Sequence, residues 1–296
     1  MAGAALLSRA GARAARAARP ALRAASDWAW LARAALSPRL RADPNVEWLF
    51  ILTLPNAGST ALANLLETSK HVVKLEPRGE GQWLVPAMSA PAKRWDPDYH
   101  PNYAVVRAVW LDRLARARRG EPVVVVEKSP PNLCRYEALT GAFAAMKTSV
   151  FTLSRDPYAV CASWRARYGP EGVARDWGYK AVGKDPLDFL ELLGRIWIER
   201  ARLLDAARRK YDAHIRYEDL CANPAATLAR IARKVPAVAD ADPAAAVAVK
   251  DHARQPLRNM NDAQIAALAP AETEAVSAGL RSAPEIVEAF GYAIRR

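Results

Sequence analysis

Only three cysteines occur in the 296-residue chain, Cys134, Cys161 and Cys221, and they lie far apart. There is no CxxC pair and no Cys/His grouping with zinc-ligand spacing, which argues against a zinc module and a disulfide scaffold. No apolar run reaches the roughly 18 to 20 residues of a membrane-spanning helix. The nearest stretch, 28–36, is short and contains Arg33. No secretory-type apolar segment opens the chain, and no acidic residue precedes Asp27. The lysine of a GxxxxGK[ST] loop is also missing, which disfavours an ATP- or GTP-dependent kinase.

Apolar residues make up 51% of the sequence, enough for a large core. The formal charge of +12 implies an anionic partner: a nucleotide, a sulfated or acidic substrate, nucleic acid or a membrane surface. Part of that excess sits at the N-terminus, where Arg9, Arg13, Arg16, Arg19 and Arg23 step by three or four onto one helical face. Residues 1–45 therefore read as a basic Ala/Arg-rich extension, carrying a short amphipathic helix with Trp28, Trp30, Leu31 and Leu36 that ends at Pro38. The extension is Arg-rich, acid-poor and amphipathic like an organelle transit peptide, though poor in serine, or like a helix touching an anionic membrane surface; the alternative is a plain basic tail. The expectation is a cytoplasmic protein, with organelle targeting as the alternative.

Residues 46–296 read as one domain. Leu49 to Leu54 is an apolar run without polar alternation, as for a strand covered on both faces. Pro55-Asn56-Ala57-Gly58 breaks it, and Ser59-Thr60 opens a helical period through Ala61, Leu62, Leu65 and Leu66. A helix leaving a strand in this way aims unpaired backbone N–H groups and a positive dipole end at one spot, a site for phosphate or sulfate. Further strands are expected at 70–75, 123–126, 150–153 and 213–217. Helices are expected at 103–118, 139–146, 158–168 and 187–210 and around Thr227 to Ile231. A long loop is expected at 86–101, and an Ala-rich, partly helical tail carries a polar loop with Arg254, Arg258, Asn259 and Asn261. Strands separated by helices predict an α/β fold, a doubly wound and mostly parallel sheet flanked by helices, like that of P-loop nucleotide kinases. The segments PNAGST, EKSP and SRDP each follow a predicted strand, so they meet at the carboxyl edge where such sheets bind ligands.

In order and spacing, residues 46–235 resemble the sulfotransferases that use 3′-phosphoadenosine 5′-phosphosulfate (PAPS), nearer to the tyrosine and carbohydrate types than to the cytosolic small-molecule type. Three motifs carry the resemblance: Pro55-Asn56-Ala57-Gly58-Ser59-Thr60; Arg155-Asp156-Pro157 with Ser163 eight positions after the arginine; and Tyr217-Glu218-Asp219-Leu220 followed by Asn223-Pro224. The resemblance implies that residues 55–60 cradle the 5′-phosphosulfate and that Arg155 and Ser163 take the 3′-phosphate. It places Tyr217 at the nucleotide and Lys128 at the reacting sulfate. Glu76 or Glu80 would be the base: spacing favours Glu76, and the G-E-G-Q context favours Glu80. The histidine base of the small-molecule enzymes has no clear counterpart, since His71 lies at the start of the second strand and His100 lies in the loop.

The implied reaction moves the sulfuryl group of PAPS to a hydroxyl or amine of an unidentified acceptor, which could be a small molecule, a carbohydrate or a protein. It needs no metal, and no nucleic-acid partner is expected. One departure stands out. Where the family has lysine or arginine after the first proline, this chain has Asn56, a neutral donor. The missing cation would come from Lys128, Arg78 or Arg258. The alternative is a catalytically weak protein that binds PAP(S) or a sulfated glycan.

Overall fold

A computed structural model describes residues 26–33, 43–91, 93–117, 122–179, 183, 185–249 and 252–295. The arginine face at 9–23 lies outside the described residues, as do Leu36 and Pro38. Residues 26–33 are helical, and Arg33 pairs with Asp112 at 2.6 Å.

The central strand β1 (Val46–Thr53) is buried along its whole length. Its side chains alternate between two cores: Trp48, Phe50 and Leu52 enter one, while Leu49 and Ile51 enter the other. Both faces of the sheet are therefore covered, which is why this strand is apolar throughout. On one side β1 pairs with β3 (Val123–Glu127), Leu49 opposite Val126. On the other it pairs with β4 (Lys147–Ser154), Ile51 opposite Phe151. The two-residue β2 (Val72–Val73) and β5 (His214–Arg216) complete a parallel five-stranded sheet in the order β2-β3-β1-β4-β5. From β1 the chain goes to the edge strand β2, returns to β3 beside β1 and then crosses to β4 and β5 on the other side, so the switch point is the carboxyl end of β1. Ligand crevices form at such points.

Helix α1 (Ser59–Leu66) follows β1, and α2 (Tyr103–Ala117) and α3 (Tyr136–Ala142) flank β3 in sequence. Helix α4 (Pro157–Trp177) follows β4 and is broken at Gly169 (φ 60°, ψ 175°), just where the predicted helix stops. The long α5 (Pro186–Tyr211) precedes β5, and α6 (Tyr217–Ala222) and α7 (Pro224–Lys234) follow it. Near the C-terminus come α8 (Asn261–Ala266), α9 (Pro270–Leu280) and α10 (Pro284–Ala289). Helix α9 packs directly on α5, so closely that a Cβ on Gly279 would stand 2.2 Å from the Glu191 carbonyl oxygen.

The helix expected at 139–146 lies instead at Tyr136–Ala142, and two further regions differ from the sequence expectation. The segment 86–101 contains a one-turn helix, Pro86–Ser89, and a 3₁₀ turn, Lys93–Trp95, each too short to leave a periodic signal. In the tail, β6 (Val247–Val249) and β7 (His252–Gln255) pair antiparallel. Three residues in an Ala-rich stretch show no strand alternation, so tertiary contact with α1 decides this hairpin.

Candidate active site

The turn between β1 and α1 is held open by two left-handed residues, Asn56 (φ 62°) and Gly58 (φ 100°). Asparagine tolerates that region better than lysine or arginine, which gives Asn56 a conformational reason. Beneath the turn lies the ring of Tyr217: a Cβ on Gly58 would come within 2.4 Å of its Cδ2. Trp164, on α4, donates from Nε1 to the Pro55 carbonyl at 2.9 Å and ties the turn to that helix. No side chain caps α1 and no acidic residue occupies its first turn. Its leading N–H groups and positive dipole end thus remain available to an anion.

Arg155 leaves β4 on one flank of the turn. Its guanidinium is 5% exposed, yet its hydrogen bonds go to neutral oxygens only. Nε donates to Asn261 Oδ1 (2.8 Å), one terminal nitrogen to the Asn56 carbonyl (2.9 Å) and the other to Gln264 Oε1 (2.6 Å). The face of Tyr217 lies 4.2 Å from its central carbon. Asp156 does not neutralise it, because that carboxylate caps α4 through the Tyr158 and Ala159 amides. Glu218 holds Asn261 in place by accepting from its Nδ2 at 2.7 Å. Ser163, two turns into α4, lines the same cleft. Tyr217 itself donates from its hydroxyl to the Arg258 carbonyl at 3.0 Å, and burial pushes its pKa up to about 12.

On the opposite flank, Lys128 follows β3 and is only 1% exposed. Its Nζ donates to Thr60 Oγ1 at 2.9 Å and to Glu80 Oε1 at 2.8 Å, so it bridges the turn and the carboxylate. Glu80 Oε2 accepts from Gln82 Nε2 (2.8 Å) and Trp83 Nε1 (3.0 Å). Burial alone would raise this carboxyl, but the Lys128 ammonium and the three hydrogen bonds hold it below its ordinary 4.5. Glu76 stands apart: its Oε1 accepts from the Glu80 amide at 2.7 Å, closing the turn that presents Glu80, and it does not line the cleft. A second buried carboxylate, Glu127, ends β3 and fixes the walls. It accepts from the amides of Gly81 (2.6 Å) and Ser129 (2.8 Å) and from Asn132 Nδ2 (3.0 Å).

All of this surrounds one cleft of about 1530 Å³, lined by nine lysine and arginine side chains against two carboxylates, Glu67 and Glu80. Each of the two already pairs with a lysine, Glu67 with Lys74 at 2.5 Å and Glu80 with Lys128. The cleft therefore presents net positive charge and fits a polyanion.

Residues 49–235 match the model of the sulfotransferase family. The chain belongs to that family. Among solved structures, the sulfotransferase STF9 from Mycobacterium avium aligns over 90% of this chain and 82% of its own, with a TM-score of 0.54 at 15% identity. The sulfotransferase STF1 from Mycobacterium tuberculosis aligns over 85% and 77%, with a TM-score of 0.46 at 15% identity. The first shares the fold of this chain. No curated protein matches significantly in sequence.

In this sulfotransferase residues from all three motifs, with Lys128 and Glu80, line a single cleft; Ala57 instead packs into the core, and of the third motif only Tyr217 reaches the cleft. Several supporting groups left no local signal. Gln264 reaches Arg155 from α8, Trp164 anchors the turn, and Glu127 bonds the amides that follow Glu80 and Lys128 from inside the wall.

Proposed function

We propose that this enzyme transfers the sulfuryl group of PAPS to a hydroxyl or amine acceptor by in-line displacement. The observation that carries the reading is Arg155, a buried guanidinium beside the turn with no carboxylate in ion-pair distance among the described residues. Burying such a charge is costly unless an anion completes it, and the 3′-phosphate of PAPS is that anion. The uncapped start of α1 likewise fits the 5′-phosphosulfate. Bound there, PAPS supplies an activated sulfuryl group.

The chain's own residues do the rest. Lys128, fixed by Thr60 and Glu80, offers the positive charge that Asn56 lacks and neutralises charge building on the transferred group. Glu80 is ionised and lies at the cleft, so it accepts the acceptor's proton. Glu76 serves as a positioning residue through the Glu80 amide. Sulfuryl transfer, like phosphoryl transfer, asks little covalent work of the protein beyond such placement.

Calorimetric titration with PAP, 5′-AMP and ATP tests the reading. PAP is expected to bind most tightly, and Arg155→Ala to weaken PAP by about a hundredfold while leaving 5′-AMP nearly unchanged. A preference for ATP, or an equal loss for both nucleotides, would reject the assignment. Binding of PAPS without transfer to any of a panel of acceptors would favour the second reading, a nucleotide-holding protein, for which Asn56 is the motive.

A further inference from the structure

The acceptor flank of the cleft is more specific than the transfer reaction requires. Trp83 is 42% exposed, an unusual position for so large a side chain. It is nonetheless fixed, because its indole N–H is bonded to Glu80 at 3.0 Å. Two guanidinium groups stand against its ring, Arg78 at 5.5 Å and Arg94 at 5.6 Å from the ring centre. Arg94 is braced by Asp176 at 3.8 Å. Arg78 is exposed, and among the described residues that ring is its only partner.

Behind this mouth, Trp95 and Trp177 line the cleft. Arg200 is sandwiched against them, 3.7 Å from one ring centre and 4.0 Å from the other. Its two terminal nitrogens are buried with no hydrogen-bond partner, and no carboxylate lies within ion-pair distance among the described residues. Arg200 lies behind the lining, while at the mouth itself Arg78 is thus a positive charge that no described carboxylate neutralises. Nor do the nucleotide's phosphates answer it under the reading above. They belong to the turn and to Arg155, on the far side of Lys128 from Trp83.

We infer that the acceptor is itself an anion: a hydroxyl compound whose flat sugar or aromatic ring packs at Trp83 while a carboxylate, sulfate or phosphate on it is taken by Arg78 and Arg94. Trp83 sets the register, since the group it fixes is Glu80. A ring resting at the indole brings a hydroxyl to the carboxylate and its anionic substituent to the arginines. Guanidinium forks suit all three oxyanions, and indole faces suit both ring types. This inference rests on the sulfotransferase reading of the same cleft.

The test uses protein saturated with PAP, titrated with 4-nitrophenyl β-glucuronide and 4-nitrophenyl β-glucoside. These share both rings and differ in the carboxylate. The 6-sulfate and 6-phosphate of the glucoside separate the three oxyanions. At least one charged probe is expected to bind about tenfold or more tightly than the neutral one, the worth of a single charge-assisted hydrogen bond. Raising the salt concentration should narrow the gap. Arg78→Gln with Arg94→Gln should erase the preference while PAP affinity stays within about twofold. Equal binding of charged and neutral probes, binding of neither, or displacement of PAP by the charged probe would overturn the inference. Failure of PAP itself to bind the wild type would instead overturn the reading beneath it.

Discussion

Lys128 Nζ lies 2.8 Å from Glu80 Oε1 and 2.9 Å from Thr60 Oγ1, so one buried ammonium joins the proposed base to the anion-binding turn. This pair is held on both sides. Glu127 bonds the amides of Gly81 and Ser129, the residues that follow Glu80 and Lys128. Removing either charge leaves the other buried and uncompensated.

Glu80→Gln keeps the shape of the side chain but removes the proton acceptor and one of its two accepting oxygens. Sulfuryl transfer is expected to fall about 10²- to 10⁴-fold, with PAP affinity changed by less than about threefold. In the wild type the Glu80 carboxyl lies below 4.5, so transfer should not depend on this group above about pH 5. Lys128→Met removes the charge and one of the hydrogen bonds that together offset burial, so the Glu80 pKa should rise and the acid limb of kcat/KM should move to higher pH. An unmoved limb would show that Glu80 is not the base. Linkage has the matching sign. The depressed Glu80 adds stability above pH 4.5, and that stability is lost as pH falls through its folded pKa.

Much of this geometry was readable in the sequence, because it rests on local signals. The run Leu49 to Leu54, the break at Pro55 and the helical period after Ser59 define the turn without any long-range information. Arg155 and Ser163 are eight residues apart on one strand–helix unit, so their common side was legible too. The choice between Glu76 and Glu80 was not. Both carboxylates belong to one short turn, and the left-handed Gly79 (φ 70°) with the Glu80 amide bond to Glu76 decides which faces Lys128. Gln264 and Asn261 hold Arg155 across more than a hundred residues, |i−j| being 109 and 106. No periodicity or motif announces a contact of that range.

Glu127 gives the fold a pH dependence of its own. Burial pushes this carboxyl up to about 7 despite its three N–H donors, with Glu80 adding repulsion. Between its ordinary 4.5 and about 7 the folded state holds the proton more firmly than the unfolded chain. Stability from this group is therefore complete below pH 4.5 and lost as pH rises through 7. Glu127→Gln is neutral throughout, so relative to the wild type it should gain about 3 kcal/mol between pH 5 and pH 8 in urea denaturation. His214, whose pKa burial pushes down to about 4, acts in the opposite direction across part of that range but cancels in the comparison. A constant difference between variant and wild type would reject a neutral Glu127 at pH 5.

Arg200 separates charge from packing. Its guanidinium fills the space among Trp95, Trp164 and Trp177, and burial lowers its pKa to about 10. With no carboxylate in ion-pair distance among the described residues, the cost of burying this charge offsets its ring contacts, so an apolar side chain of similar length should serve as well or better. Arg200→Met is expected to match the wild type or exceed it by about 1 to 3 kcal/mol in urea denaturation. Arg200→Ala empties the space and should lose about 2 to 4 kcal/mol. A clear loss in the methionine variant would mean that the contacts of the guanidinium with the three indole rings outweigh the cost of burying its charge.

Gly58 and Gly79 make a matched pair for testing the turn. Both have positive φ, 100° and 70°, so alanine costs about 1 to 2 kcal/mol of backbone strain at either. Their surroundings differ. A Cβ on Gly79 would meet the flexible Lys74 chain at 3.3 Å, whereas one on Gly58 would meet the Tyr217 ring at 2.4 Å. That ring cannot retreat easily, because it lies against Arg155 at 4.2 Å and its hydroxyl is bonded to the Arg258 carbonyl. Gly58→Ala must therefore displace either the turn or the ring, and with the ring goes the face on which Arg155 rests. PAP affinity is expected to fall about a hundredfold or more in Gly58→Ala and less than about tenfold in Gly79→Ala, read by calorimetric titration. Adding Tyr217→Ala to Gly58→Ala removes the clash but not the strain. If the clash is the cause, Gly58→Ala costs clearly less PAP affinity in a Tyr217→Ala background than in the wild type; an equal cost in both backgrounds means that the turn is lost to its own backbone and the ring is not what holds it.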